Sequence, residues 1–397
     1  MTDAYVSRRR YDLDWLRVIA FGLLILYHTG MFYVPWDWHV KSVHAGPGAE
    51  WAMRLLNPWR LDLLFLISGV ALRFAADKLG GGKLARERLV RLGLPIIFGM
   101  AVIVAPQSWL QLLENGEFHG SFLQFWPQYL DIHSDFSITT PTWNHLWYVV
   151  YLLVYTLMLA PVARPLARFM EGAGAKVTYR LFAGKWGPVM ALAVPAAPHL
   201  LIRFTLDPYF PTTHDLTADW ANHAHSVTML MTGFLLAKDR NFWSAVQRVM
   251  PWAVGLAVTL GAVLTPIWLN WDAITQDDSW GWLVLSSRIG RVLYAWFAIL
   301  AALGLAQRFL NRPSPALTYM TEAIFPWYIL HQTIIVCAGY WLTRQGLPVW
   351  IEAPAVIAAT FGGCAVLHEY IIRRTPFLRP LFGLKPLSQS AVRRAPA

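Results

Sequence analysis

The chain has 397 residues, of which 56% are hydrophobic and 14% are charged, and it contains 21 Trp. A mean hydropathy of +0.41 is too apolar for a soluble protein of this length, so we interpret it as an integral membrane protein in contact with a lipid bilayer. Much of the net charge of +10 is explained by the basic residues that membrane proteins carry on their cytoplasmic side. We therefore expect no nucleic-acid partner.

Apolar segments of about 20 residues predict an all-α fold with about ten transmembrane helices. The segments are 14–34, 54–76, 92–113, 145–163, 187–206, 220–237, 250–269, 284–306, 318–342 and 353–372. With the N-terminus inside, the inner segments hold 24 of the 33 Lys and Arg residues, whereas the outer loops hold only Lys41 and Arg344. This alternation predicts that both termini are cytoplasmic. We expect one transmembrane domain over 1–385 and a short cytoplasmic tail over 386–397.

The first apolar segment carries Asp14, Arg17 and His28 on one helical face. At 100° per residue, Arg17 and His28 differ by about 20°, and Asp14 lies within about 40° of His28. Ionisable side chains inside a membrane are costly and usually serve a function. An ion pair between Asp14 and Arg17 and a merely hydrogen-bonded His28 are the structural alternatives. A neutral imidazole there can take a proton from a hydroxyl, as acyl transfer to an alcohol requires.

The next two segments supply further candidates. Asp62 lies in the second span and needs a partner from another helix or a place in a cavity, and Ser68 with Gly69 suits either a site or a helix contact. In the following inner loop, Arg88 and Arg91 lie three residues apart and suit binding of a phosphate, although positive-inside bias alone also explains the cluster.

Later spans contain two histidines and two arginines. His145 and His331 are equally explained by packing and by a site, while Arg288 and Arg291 suit either an interface anchor or binding of an anionic acyl group or acceptor. His223 and His225 point to opposite sides of a helix, which argues against a shared metal ion. We predict no metal site.

These motifs together resemble the membrane-bound acyltransferase-3 family. The matching features, in chain order, are Arg17 and His28, LDLLFLISG at 61–69, the R-x-x-R of Arg88 and Arg91, NHLWYVVYLL at 144–153 and FPWYILHQTII at 325–335. The resemblance covers residues 11–385. The closing RRTPFLRPLFGLKP and the HLWY sequence are most similar to the branch that decorates periplasmic glucans with succinyl groups.

The resemblance implies an O-acyltransferase that moves an acyl group from cytoplasmic acyl-CoA to a periplasmic glucan or another envelope glycan. It implies His28 at the catalytic centre, Arg17 positioning the donor or the centre, and Arg88 with Arg91 at the CoA end. It also implies the bacterial inner membrane. One departure is that Tyr148, Val149, Val150 and Tyr151 stand where many sugar O-acetylases of the family carry a Glu pair. Glu322 and Glu369 are candidates to replace it.

The predicted site has three parts. Its residues are His28, Arg17 and Asp14 for catalysis, Arg88, Arg91, Arg86 and Ser68 for the donor, and Asp62, His145, Trp147, Arg288, Arg291 and His331 for the substrate. Succinyl-CoA or acetyl-CoA is the expected donor, with no tightly bound cofactor. Direct attack and an acyl-enzyme both stay open, as does the oligomeric state, a homo-oligomer included. The alternative functions are a glycan or lipid-linked glycan transporter or flippase, and a non-catalytic subunit of a glycan complex.

Overall fold

The computed structural model describes residues 9–386, so most of the predicted tail lies outside the described residues. All regular secondary structure in the described range is helical, without a β-strand there. It divides into two compact units. The first comprises described residues up to Leu23, Glu50–Arg86 and Val154–Leu317, and the second comprises Leu24–Ala49, Glu87–Leu153 and the described residues from Thr318.

The helices follow the apolar segments of the sequence. They are α1 (Tyr11–Tyr33), α2 (Glu50–Lys78), α3 (Gly81–Arg88), α4 (Leu94–Phe98), α5 (Ala105–Glu114), α6 (Phe122–Tyr129), α7 (Trp147–Leu159), α8 (Ala163–Glu171), α9 (Ala173–Phe182), α10 (Gly187–Ala193), α11 (Ala196–Thr205), α12 (Trp220–Leu236), α13 (Arg240–Leu269), α14 (Trp271–Thr275), α15 (Gly281–Phe309), α16 (Pro315–Leu342), α17 (Val349–Val366) and α18 (Leu378–Leu381). Short π-helical turns at Leu89–Gly93 and Gly99–Ile103 join α3, α4 and α5, and a third, Leu367–Ile372, follows α17.

The expectation of an all-α, polytopic membrane protein is confirmed. Within the described range, eight helical segments are long and apolar enough to cross a membrane, and a ninth candidate is the pair Asn144–Leu159 and Ala163–Glu171, bent by 73°. The remaining predicted span corresponds to α12, which has 17 residues. At 1.5 Å per residue α12 is about 25 Å long, slightly shorter than the roughly 30 Å hydrocarbon core.

Small residues bring α2 and α12 together in the first unit. A Cβ built on Gly69 would lie 1.9 Å from the Leu230 carbonyl oxygen, and one built on Gly233 would lie 1.9 Å from that of Leu66. The two backbones therefore approach more closely than any side chain would allow, as is typical of small residues spaced along membrane helices. Phe65 and Phe234 lie fully buried beside this crossing.

In the second unit, one apolar cluster draws α1, α5 and α16 together. It contains Phe32, Val40, Leu110 and Val336, each at most 4% exposed. A Cβ on Gly339 would lie about 3 Å from the Phe32 ring, so α16 accommodates that ring because residue 339 has no side chain. Phe32 lies one turn after His28, and this contact therefore places the C-terminal part of α16 beside the end of α1 that carries His28.

Candidate active site

The two most closely associated histidines of the second unit come from opposite parts of the sequence. His28 Nδ1 on α1 lies 2.8 Å from His331 Nε2 on α16, and the two rings are nearly parallel, with 5.0 Å between their centroids. His331 is fully buried, whereas His28 keeps an intermediate exposure. The structure thus pairs the predicted catalytic histidine with a residue that the sequence suggested as either a packing residue or a substrate contact.

His145 packs against His331 of this pair. Its ring meets the His331 ring edge-on, with 5.1 Å between centroids and an interplanar angle of 88°. Its Nε2 lies 3.0 Å from the Ile329 carbonyl oxygen, and the Gln107 side-chain nitrogen lies 3.5 Å from its Nδ1. The predicted residues His28, His145 and His331 therefore form one cluster within the second unit.

Neutral amides extend the cluster toward the loop that follows α1. The side-chain nitrogen of Gln332 lies 2.9 Å from His39 Nε2 and 3.0 Å from Gln107 Oε1. His39 Nδ1 lies 2.6 Å from Gln111 Oε1. Burial lowers the pKa of His39, although the hydrogen bond to Gln111 opposes the shift, so this imidazole is neutral near pH 7. The sequence analysis did not include Gln107, Gln111 and Gln332 among the site candidates. The only signal for them in the sequence is that they are polar residues inside apolar segments.

The N-terminal end of α1 lies in the first unit and has a different environment. The Asp14 carboxylate accepts a hydrogen bond from Arg9 Nε at 2.8 Å and lies 3.7 Å from Arg17 Nη1. The structure therefore shows the ion pair that we considered as the structural alternative for Asp14, with Arg9 as an additional partner. Arg17 keeps about a third of its side chain exposed.

Asp62 also lies in the first unit, among charged groups from other helices. It interacts electrostatically with His225 of α12, Arg291 of α15 and its neighbour Arg60. This arrangement supplies the partners from other helices that the sequence required. Arg288 and Ser68 are half-buried on α15 and α2, respectively.

The predicted donor-binding arginines lie at a change of helical pitch. Helix α3 ends at Arg88, and Arg91 lies in the π-helical turn that follows. Arg88 is half-buried, whereas Arg86 and Arg91 are exposed. Because a π-helical turn is wider than an α-helical turn, residues three apart are offset further around the axis than the sequence spacing assumed.

The carboxylates considered as replacements for the missing Glu pair are held by arginines in the second unit. Glu322 lies 3.3 Å from Arg373 and 3.5 Å from Arg379, and Glu369 lies 3.1 Å from Arg373. The group in contact with His28 Nδ1 is the imidazole of His331 and not a carboxylate. Trp147 packs against Tyr151, with 5.1 Å between ring centroids.

A second histidine pair, in the first unit, was not predicted. His199 Nδ1 and His225 Nδ1 lie 2.8 Å apart, and His225 Nε2 lies 3.2 Å from Asp207. Burial raises the pKa of Asp207, but hydrogen bonds from His225 and Arg203 outweigh it, so the net pKa falls below the ordinary value. The available sequence signal was His199 within the apolar segment 187–206.

Two further features of the described residues bear on the site. An apolar groove of about 720 Å³ in the first unit is lined by Trp51, Trp59 and Tyr294 among others, and it contains none of the predicted site residues. Between residues 9 and 386, no group of three or more His, Cys, Asp or Glu side chains is arranged to hold a metal ion.

Membrane-spanning helices define a multi-pass membrane protein, and three histidines cluster in its second unit. The model of the acyltransferase-3 family, described as an acyltransferase domain, matches residues 10–369, and the chain belongs to this family. It is 22% identical over 395 residues to the glucans biosynthesis protein C of Escherichia coli strains K12 and O6:K15:H31, covering 98% of each chain. No solved structure matches.

Proposed function

We propose that this protein is an O-acyltransferase of the bacterial inner membrane that transfers an acyl group from cytoplasmic acyl-CoA to a hydroxyl of a periplasmic glucan. Family membership supports acyl transfer. The name of the similar Escherichia coli proteins supports a glucan, or a related envelope glycan, as acceptor. We favour succinyl as the acyl group, with acetyl as the alternative, because that is the chemistry implied by the sequence resemblance.

The observation that carries the proposal is the pairing of half-exposed His28 with buried His331. The acceptor hydroxyl attacks the thioester carbonyl while His28 takes its proton, and the same proton then passes to the departing CoA sulfur. The O–H and C–S bonds break, and the C–O and S–H bonds form. A positioned histidine suits this exchange because its imidazole both accepts and returns a proton near neutral pH.

For the donor, we propose that Arg88 and Arg91, assisted by Arg86, bind the phosphates of CoA at the inner side. Guanidinium groups bind phosphate oxygens through paired hydrogen bonds. Ser68 is proposed to contact the thioester arm, and Arg17 to orient the donor or the centre. Acceptor contacts are assigned to Asp62, His145, Trp147, Arg288 and Arg291.

The test measures transfer by the purified protein in lipid nanodiscs. Succinyl-CoA or acetyl-CoA carrying a labelled acyl group is supplied with a periplasmic glucan, and both CoA thiol release and labelled ester on the glucan are followed. His28→Ala should lower kcat by about 100-fold or more, because a positioned general base contributes 10²- to 10⁴-fold. His119→Ala, an exposed histidine outside the cluster, is the matched control. The mass added to the glucan identifies the acyl group.

Two results would overturn the proposal. If the wild-type protein releases no thiol and forms no ester with either donor, the protein is not this acyltransferase. If His28→Ala transfers at the wild-type rate, His28 is not the base. Movement of intact labelled glucan across vesicles without ester formation would favour the transporter alternative.

A further inference from the structure

The hydrogen bonds of His331 determine which of its nitrogens carries the proton. His331 Nδ1 lies 2.6 Å from the Tyr328 carbonyl oxygen. A carbonyl oxygen only accepts, so Nδ1 must donate and must carry hydrogen. Because His331 is fully buried, its ring is favoured in the neutral form, which has a single N–H. His331 Nε2 is therefore an acceptor.

This assignment propagates to His28. The contact between His331 Nε2 and His28 Nδ1 spans 2.8 Å, and since Nε2 accepts, His28 Nδ1 must donate. A neutral His28 then has its lone pair on Nε2. The Tyr328 carbonyl thus selects, through two imidazole rings, the nitrogen of His28 that takes up a proton.

We infer that His331 is a positioning residue that fixes the reactive tautomer and the ring plane of His28, an inference that rests on the proposed function. When His28 gains a proton at Nε2, its Nδ1–H still donates to His331, so the same hydrogen bond holds the imidazolium in place. In a Ser-His-Asp triad a carboxylate accepts the corresponding hydrogen bond and holds the histidine in its tautomer and orientation. Here the acceptor is a neutral imidazole, anchored on the backbone of α16.

His145 supports the orientation of His331. Its Nε2 faces the Ile329 carbonyl, which fixes that nitrogen as the donor, and its ring packs edge-on against His331. Adjacent carbonyls of α16 therefore set the tautomers of both rings. Titratable groups near the cluster include Tyr27 beside His28, Tyr328 beside His331, Tyr148 beside Tyr328 and His39 near His145.

The test replaces the acceptor at position 331 and measures transfer against pH. His331→Phe removes the acceptor of the hydrogen bond from His28 Nδ1, so the reactive tautomer of His28 is no longer favoured. The variant should lower kcat by about 100-fold with little change in the KM for acyl-CoA. His331→Gln places an amide oxygen near the former Nε2 and should restore part of the rate. The acid limb of its pH–rate profile should stay at the wild-type position.

His331→Glu distinguishes positioning from a merely structural role. A carboxylate beside His28 favours the protonated imidazole, so the acid limb of kcat/KM should move to higher pH by about one unit or more. His133→Gln is the matched control, since it changes an exposed histidine that lies outside the cluster and outside the proposed donor and acceptor contacts. It should leave kcat and the profile unchanged.

The outcomes separate this inference from the function on which it rests. If His28→Ala abolishes transfer but His331→Phe retains the wild-type kcat and profile, the positioning role is wrong and the function stands. If His28→Ala remains active, the function itself fails. If His331→Phe does not fold, the comparison of His331→Gln with His331→Glu tests the inference instead. Acid limbs of kcat/KM at the same pH in these two variants would overturn it.

Discussion

Arg88 and Arg91 illustrate how one turn of backbone alters a site at the scale of single residues. Sequence spacing suggested that both guanidinium groups face one side of an α-helix, but α3 ends at Arg88 and Arg91 lies in a π-helical turn. The two side chains therefore approach a phosphate from different directions if both bind it. Arg88 is the more buried of the two, and we expect it to contribute more to binding.

We predict that Arg88→Ala weakens binding of CoA by about tenfold or more, the range expected for losing charge-assisted hydrogen bonds to phosphate. Arg91→Ala should weaken it less. Calorimetric titration of CoA into the protein in nanodiscs measures both affinities. Lys83→Ala, an exposed cation on the same short helix, is the control for general loss of positive charge. Equal affinities for all four proteins would assign these arginines to membrane topology alone.

Sequence reasoning predicted His28 and His331 as separate site candidates but did not predict that they pair. An ionisable residue within an apolar span is visible in the sequence because its desolvation is costly wherever the span lies. His331 is 303 residues away, and its pairing with His28 depends on the contact between Phe32 and Gly339. Neither the pairing nor the tautomers follow from local periodicity, which determines only the face on which a side chain lies.

At the scale of helices, the crossing of α2 and α12 depends on two glycines whose positions mirror each other. Gly69 faces the backbone of Leu230, and Gly233 faces the backbone of Leu66. Backbone atoms yield less readily than flexible side chains, so an added methyl group must push the helices apart. In the sequence, Ser68 with Gly69 was consistent with either a helix contact or a site, and the structure shows Gly69 at a helix contact.

We predict that Gly69→Ala destabilises the folded protein by about 1–3 kcal/mol, the usual range for overpacking. Gly255→Ala in α13 is the matched control, because nothing lies within 4 Å of its added Cβ. That control should be neutral or stabilising by up to about 1 kcal/mol, since Ala favours a helix more than Gly. Thermal unfolding in detergent compares the two. Unfolding temperatures that change equally would contradict the proposed close contact.

At the scale of the whole molecule, the distribution of basic residues predicts a topology that can be tested directly. The outer loops contain aspartates but only two basic residues, and this bias predicts cytoplasmic termini. We expect a fluorescent protein fused after residue 397 to fluoresce, and alkaline phosphatase fused after Asp215 to be active. Phosphatase activity at the C-terminal fusion, or its absence at Asp215, would show that the assumed number of spans or the orientation is wrong.

The sequence by itself determined the all-α, membrane-spanning character of this protein and its family, because both depend on composition and on short motifs in fixed order. It also indicated which ionisable residues are costly to bury in a membrane and are therefore expected to have a function. Only the tertiary structure decided that His28 pairs with His331, that Asp14 is shared by Arg9 and Arg17, and that Asp62 lies within electrostatic range of His225 and Arg291. Such partners lie on different helices or require a particular side-chain conformation, and helix packing selects them through shape and close backbone contacts.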